Sequence, residues 1–230
     1  MKTCNIIIPT FDNTEFILEC IESVYKQEKL EGWKYIFLIG VDGCKKTAEF
    51  LIKRNIPFYL SPENITNYGI RNSLMYQFPA DAYAYFDSDD VMFPNYIKKS
   101  LIGLEKTGIV MVAKINCDIE LNPKKKPKVE NGGAMTFTDE VLKSVGGFKI
   151  YKCAADTDFM RRVEMAGYEI TKIKEPLYYR RSHPKALTKQ KETGMGSPYR
   201  KQSWAEMCKA REKGIYKIEP MTIKMEMVLS

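Results

Sequence analysis

Apolar runs alternate with helix-periodic segments through the first half of the chain, and this alternation restricts the fold more than any other feature. Ile6-Ile7-Ile8 ahead of Pro9 reads as a buried strand, after which Phe16, Ile17, Cys20, Ile21 and Val24 recur at helical spacing. A second apolar run, Tyr35 to Val41, stops at Asp42-Gly43; a helix over Lys45 to Arg54 and a short strand at Ile56 to Leu60 are expected next. The pattern continues with a helix near Ile70 to Phe78, a strand at Ala82 to Phe86, an acidic loop, and a helix that Pro94 opens at its first turn. Strands that alternate with helices imply a mostly parallel sheet covered on both faces, so a single α/β domain of Rossmann-like design is expected.

The second half is less regular. A strand at Ile109 to Ile115 precedes Asn122-Pro123-Lys124-Lys125-Lys126-Pro127-Lys128, which is too charged and proline-rich for a core and reads as a mobile surface loop. Order is expected to resume at Gly132-Gly133-Ala134. A helix from about Thr138 to Val145 is broken by Gly146-Gly147-Phe148, and another runs from about Ala155 to Ala166, closed by Gly167. Strands are expected at Tyr168 to Ile173 and Leu177 to Arg180. The polar stretch Ser182 to Arg200, with Gly194 and Gly196, reads as a lid or linker, and the remainder carries no repeat or clear motif.

Composition narrows the class. At 230 residues, 44% hydrophobic and 12% aromatic, the chain suffices for one large α/β domain and is short for two. The N-terminal apolar run is too short for a signal peptide, and no segment reaches the roughly 18 apolar residues of a membrane span, so an intracellular, cytoplasmic location is expected. Six scattered cysteines (Cys4, Cys20, Cys44, Cys117, Cys153, Cys208) show no metal-ligand spacing and read as reduced, mostly buried residues. Charge is uneven: residues 1 to 120 carry 13 basic and 16 acidic side chains, residues 121 to 230 carry 23 and 13. The basic second part suggests an anionic partner, whether a diphosphate, a phosphorylated acceptor or a nucleic acid; a solvated lysine-rich surface is the plain alternative.

In doubly wound sheets ligands sit at the carboxyl ends of the strands, and here those ends carry Thr10-Phe11-Asp12, Asp42-Gly43 and Asp87-Ser88-Asp89-Asp90. The last is the most informative. Three carboxylates within four residues repel one another unless a cation compensates, and hard oxygen ligands favour Mg²⁺ or Mn²⁺ over zinc. Capping of the following helix is the structural alternative.

With these residues in view, the chain resembles an inverting, non-processive family 2 glycosyltransferase of the GT-A fold, from Asn5 to about His183. Ile6-Ile7-Ile8-Pro9-Thr10-Phe11-Asp12 is similar to the family's opening strand and "Pro-Thr-Tyr-Asn" signature, followed by its helix through Ile21, Glu22, Ser23, Val24 and Gln27. Val41-Asp42-Gly43-Cys44 resembles "Asp-Asp-Gly-Ser", and Asn67, Gly69, Arg71 and Asn72 resemble "Asn-x-Gly … Arg-Asn". Phe86-Asp87-Ser88-Asp89-Asp90 matches the Asp-x-Asp metal motif. Gly146-Gly147-Phe148 with Asp156, Asp158, Arg162 and Gly167 fits the catalytic block, and Tyr179-Arg180-Arg181-Ser182-His183 fits "Tyr-Arg-x-His".

The resemblance implies transfer of one sugar from a nucleotide-sugar donor, expected to be a UDP-sugar, to an acceptor hydroxyl with inversion. It implies a Mn²⁺ or Mg²⁺ cofactor at Asp87, Asp89 and Asp90, with His183 able to reach the metal or diphosphate when its loop closes. Pro9, Thr10, Asp12, Asp42, Arg71 and Ser88 would bind the nucleotide-sugar. Arg71 is equally suited to pair with phosphate, to pair with the Asp87 cluster, or to be an ordinary helix-surface arginine. Asp156 is the expected catalytic base: it shares a face with Phe159 and Val163 and should point inward over the sheet. Asp158 is better placed to pair with Arg161 or Arg162, and becomes the base if the register is off by two. Val41 and Ala155 depart from the family pattern, and the Gln-x-x-Arg-Trp motif of processive synthases is absent.

The expected organisation is a GT-A catalytic domain over 1–180, with a nucleotide-sugar half at 1–116 and an acceptor and catalytic half at 117–180, followed by a basic lid and tail at 181–230. The acceptor is open between a glycan, a protein and a modified nucleic acid, as is the oligomeric state. Three rival readings remain. A nucleotidyltransferase would want a Gly-rich phosphate loop that Thr10-Phe11-Asp12-Asn13 is not. A nucleic-acid-binding module would use the basic second part with Tyr199, Trp204 and Tyr216. A noncatalytic nucleotide-sugar binder would explain Val41 and Ala155.

Overall fold

The structure is a computed structural model that describes residues 1–129 and 133–229. Its strands form one sheet: β1 (Lys2–Thr10), β2 (Trp33–Val41), β3 (Phe58–Leu60), β4 (Ala82–Tyr85), β5 (Val91–Met92), β6 (Ile109–Cys117), β7 (Met135–Thr138), β8 (Thr171–Arg181) and β9 (Glu226–Val228). Their order is β5-β8-β6-β7-β4-β1-β2-β3-β9. Pairing makes β1, β2, β3, β4, β6 and β8 run in one direction, with β5, β7 and β9 reversed. The single α/β domain with a mostly parallel central sheet is therefore the observed fold.

Helices cover both faces because the central strands are apolar on both sides. Ile6 and Ile8 of β1 pack with Cys20 and Val24 of α1 (Ile17–Tyr25), Leu51 of α2 (Lys45–Ile52) and Ile97 and Leu101 of α4 (Tyr96–Thr107). Ile7, on the opposite side as strand alternation requires, joins Ile70 and Leu74 of α3 (Thr66–Gln77), Val141 and Val145 of α5 (Asp139–Val145), and Phe159 and Val163 of α6 (Ala155–Met165). Burying such side chains contributes about 1.5 to 3 kcal/mol each, which makes β1, buried from Cys4 to Thr10, the axis of the fold.

The structure differs from the sequence expectation in several places. The strand expected from Tyr168 begins only at Thr171, and Thr171 to Ile173 and Leu177 to Arg180 belong to one strand, β8, which absorbs Pro176 at a register shift opposite Ala113. Met135–Thr138 forms β7, inserted antiparallel between β4 and β6. Within the polar C-terminal region, α7 (Pro198–Glu212) starts on the Ser197 side chain, which accepts from the Arg200 N–H. Of the expected restart at Gly132-Gly133-Ala134, Gly132 lies outside the described residues. All six cysteines are free, and Cys4, Cys20, Cys117 and Cys153 are buried. Among the described residues, no helix is long and apolar enough to cross a membrane.

After α7 the chain returns along α3. Ile223 N–H donates to Ser73 Oγ at 3.0 Å, Met225 N–H to Gln77 Oε1 at 2.9 Å, and β9 then pairs with β3. The path presses against Gly146, whose φ is +79°; a Cβ there would overlap the Ile218 carbonyl oxygen.

Candidate active site

Because the principal strands share a direction, the loops after Thr10, Val41, Tyr85, Cys117 and Arg181 emerge on one edge, where they surround a cleft of about 2300 Å³. On its floor, directly after β4, side-chain oxygens of Asp87, Asp89 and Asp90 lie within 4.8 Å of one another. The loop is held by Phe86 N–H on Ile7 O at 2.9 Å and by Asp90 N–H on Asp87 O at 3.2 Å. Asp90 is buried and its Oδ1 accepts the Arg181 N–H at 2.8 Å. Burial first, then the charges of Asp89 and Asp87, push its carboxyl well above the usual carboxylate range. Asp89 Oδ2 stands 2.7 Å from His183 Nε2, whose ring packs 5.0 Å from that of Phe16. Ser88 Oγ accepts from Asn13 Nδ2 at 2.9 Å.

Arg71 is buried. It pairs with Asp87 Oδ1 at 2.5 Å and lies over the Tyr85 ring at 4.0 Å, so of the alternatives the sequence left open the structure contains the pairing with the acidic loop. These residues fit a divalent cation. The donors are closely spaced carboxylates, one of them desolvated, and Arg71 answers only one of the three charges directly. A second arginine, Arg181, organises the same loop from behind. Its Nε donates to Asp89 O at 2.9 Å, its guanidinium reaches Ile119 O and Glu19 of α1, and it lies 4.5 Å from the Phe16 ring centroid. Sequence reasoning left Arg181 without a role; the available signal was a basic residue ending the last long parallel strand beside His183.

On the β2 side, Asp42 is buried and its Oδ1 accepts the Ile65 N–H at 2.6 Å. Desolvation pushes its carboxyl up to about 6, against the pull of the Ile65 and Thr66 backbone hydrogen bonds. Pro9, Asp12 and Asp42 line the cleft. Asp12 sits at φ +44° and pairs with Lys46 at 2.7 Å and Lys185 at 3.4 Å; the Lys46 hydrogen bond is the main reason its carboxyl lies below the usual range. Thr10 is buried behind this rim, and its hydroxyl has no hydrogen-bond partner among the described residues.

The facing wall is the start of α6. Asp156 is half-buried and turned to the cleft, at the end of the helix face that carries Phe159 and Val163. Its Oδ2 accepts the Gly133 N–H at 2.8 Å, and its Oδ1 accepts the Thr157 N–H at 2.8 Å and lies 3.5 Å from the Tyr68 hydroxyl. Gly133 holds φ +90°, and a Cβ there would stand 3.1 Å from the Tyr178 hydroxyl oxygen, so a backbone amide reaches Asp156 where a side chain would crowd it. Tyr68, one turn before Arg71 on α3, was not singled out from the sequence. Asp158 is built differently. It is buried, bonded to Arg162 Nε at 2.7 Å and Lys149 Nζ at 3.0 Å, while Arg162 donates to the Val145 and Gly147 carbonyls at 2.6 Å each.

Several solved structures share this fold. TarS 1–349 from S. aureus in complex with UDP is 17% identical over 80% of this chain and 61% of that one, at TM-score 0.63. The same protein in complex with UDP-GlcNAc gives 17%, 80% and 59% at 0.64. The mannosyltransferase PcManGT from Pyrobaculum calidifontis, in complex with GDP-Man and Mn²⁺, gives 15%, 77% and 56% at 0.62. At such identities the likeness is one of fold, and the chain spans about six tenths of the length of those structures. Comparison with curated proteins finds no match. The glycosyl transferase family 2 profile, by contrast, matches residues 5–163, a span that holds both the acidic loop and the start of α6, and the chain therefore belongs to glycosyl transferase family 2.

Proposed function

We propose that this protein is a metal-dependent, inverting glycosyltransferase that moves a single sugar from a nucleotide-sugar, with a UDP-sugar as the expected donor, to an acceptor hydroxyl. The observation that carries this reading is the opposition of two carboxylate systems across one cleft: the Asp87, Asp89 and Asp90 group on the floor and Asp156 on the facing wall. Similar folds solved with UDP, UDP-GlcNAc and GDP-Man support a nucleotide diphosphate in this cleft.

Asp87, Asp89 and Asp90 would hold Mn²⁺ or Mg²⁺, with His183 beside Asp89 at the rim. When bound, such a cation supplies electrostatic stabilisation of the charge that develops on the leaving diphosphate. Arg71 keeps Asp87 oriented, and Arg181 fixes the backbone of Asp89 and the carboxyl of Asp90. Asp42, Pro9, Asp12 and Ser88 form the nucleotide side, Asp42 as acceptor for a nucleobase N–H, and Thr10, buried behind them, supports it through its carbonyl, which accepts the Asp42 N–H at 3.0 Å. Asp156 takes the proton of the acceptor hydroxyl. The acceptor oxygen bonds to the anomeric carbon from the face opposite the diphosphate, and the anomeric C–O bond breaks with its electron pair leaving on the phosphate oxygen. The Gly133 N–H holds the Asp156 carboxylate for that step. Of the basic segment 181–230, the part from Ser182 to Arg200 would act as the lid, while the tail beyond α7 is tied to α3 and ends as a strand of the sheet.

Slow donor hydrolysis tests the reading without a known acceptor. UDP-glucose, UDP-GlcNAc and GDP-mannose are incubated with the protein and Mn²⁺, and the first-formed sugar is followed by NMR. Initial release of the β-anomer from an α-linked donor, dependent on Mn²⁺ and lost in Asp156→Asn, is expected. Initial release of the α-anomer would contradict inversion.

A further inference from the structure

The cleft extends from Asp156 along α6 to α7, and this extension has its own chemistry. Asp156, Thr157, Met160, Arg161 and Glu164 share one helix face and all line it, with Arg161 about 7 Å along the axis from Asp156. The Arg161 guanidinium lies 3.6 Å above the Trp204 ring, which is 50% exposed. The same cleft is lined by Lys124 and Lys125 from the loop after β6 and by Lys201 and Arg211 from α7. Among the described residues, none of Lys124, Lys125, Arg161, Lys201 and Arg211 forms an ion pair. The cations on the acidic side, Arg71, Lys46 and Lys185, are engaged with carboxylates, whereas these are not.

Resting on the transferase reading above, we propose that the acceptor is a phosphate-bearing saccharide, whose sugar lies on the half-exposed Trp204 ring and whose phosphate is held by Arg161, with Lys201 and Arg211 at either end of this part of α7 adding positive potential. An arginine stacked on an aromatic ring keeps its N–H edge free for a phosphate at little further entropic cost. A single indole platform suits one saccharide unit, whereas single-stranded nucleic acid favours successive aromatic platforms along a continuous cationic groove. Here the same cleft is also lined by Glu164 and by the acidic loop, whose carboxylates would repel an unbroken phosphate backbone.

Calorimetry on the full chain with UDP and Mn²⁺ present compares maltopentaose, its 6-phosphorylated form and a short single-stranded oligonucleotide. The phosphorylated sugar should bind about tenfold or more tighter than the neutral one, weakening as salt rises from about 0.05 to about 0.3 M. Lys201→Glu with Arg211→Glu, both on the exposed side of α7, should remove that preference, and Trp204→Ala should weaken both sugars while Trp204→Phe restores them. Binding of the two sugars within about twofold, or tighter binding of the oligonucleotide, would overturn the proposal. Donor hydrolysis on the same preparation separates the two readings: hydrolysis without phosphate preference sinks only the acceptor class, and phosphate preference without any nucleotide-sugar binding or hydrolysis sinks the transferase.

Discussion

Arg71 Nη2 meets Asp87 Oδ1 at 2.5 Å in an asymmetric pair: the arginine side chain is 2% exposed, while that of Asp87 is 42% exposed and opens to the cleft. The cation is therefore a fixture of the core, caged by Tyr68, Tyr85 and Phe148, that aims a carboxylate outward. Arg71→Ala should cost about 3 kcal/mol of stability, because it leaves a hole among aromatic rings and strips Asp87 of its counter-charge. Arg71→Lys, which keeps charge but loses the planar stack, should cost about 1 kcal/mol. Urea unfolding at neutral pH measures both, and an Arg71→Ala variant as stable as the parent would contradict the cage.

Asp156 and Asp158 lie two residues apart and should fail in different ways. Asp156→Asn should lower transfer or donor hydrolysis by about 10²- to 10⁴-fold with unchanged melting and nucleotide affinity. Asp158→Asn should lose about 3 kcal/mol of stability, because Arg162 and Lys149 are left without their carboxylate in a buried setting. An active Asp156→Asn beside a stable, inactive Asp158→Asn would move the base to Asp158.

Asp42 links binding to pH. Its folded-state value of about 6 exceeds the ordinary 3.8, so the folded chain holds this proton more tightly. The resulting stability is present below about pH 4 and lost as pH rises through about 6. At pH 7 the buried charge is a burden, and Asp42→Asn should raise stability by about 2 kcal/mol while lowering nucleotide affinity about tenfold. Nucleotide affinity of the parent should fall below about pH 6, and the fall should be shallower in Asp42→Asn. Equal pH profiles of binding in the two proteins would refute the assignment.

The contact between Gly146 and the returning C-terminal segment gives a test of the fold. Gly146→Ala must strain a positive φ and displace the Ile218 carbonyl, so a loss of about 2 kcal/mol or more is expected. A truncation ending after α7 should make the same substitution milder, since the overlapping carbonyl is then gone. Equal losses in both backgrounds would show that the strap does not press on Gly146.

The sheet's first half is legible in the sequence because β1, β2 and β4 are buried on both faces and read as unbroken apolar runs between turn signals. Elements that bury little leave little pattern. In α7 only Ser203 and Met207 are buried, so no apolar stripe marks a helix there, and β5 and β9 are two- and three-residue edge strands. Pro176 splits the pattern of β8 because a bulge, invisible in the composition, carries the strand past it. At the site, the acidic loop and Asp156 stand out by chemistry, whereas Arg181, whose guanidinium donates to the Asp89 carbonyl, and Gly133, whose N–H donates to Asp156, act through partners brought close only by the fold.

The central claim, that Asp87, Asp89 and Asp90 form a cation-dependent nucleotide diphosphate site, is tested most directly by titrating the protein with UDP and GDP by calorimetry, with Mn²⁺ and with chelator, beside Asp89→Ala. Binding of one nucleotide about tenfold or more tighter with Mn²⁺, abolished in a folded Asp89→Ala, is the predicted result. Equal affinity in chelator, or no loss in Asp89→Ala, would contradict it.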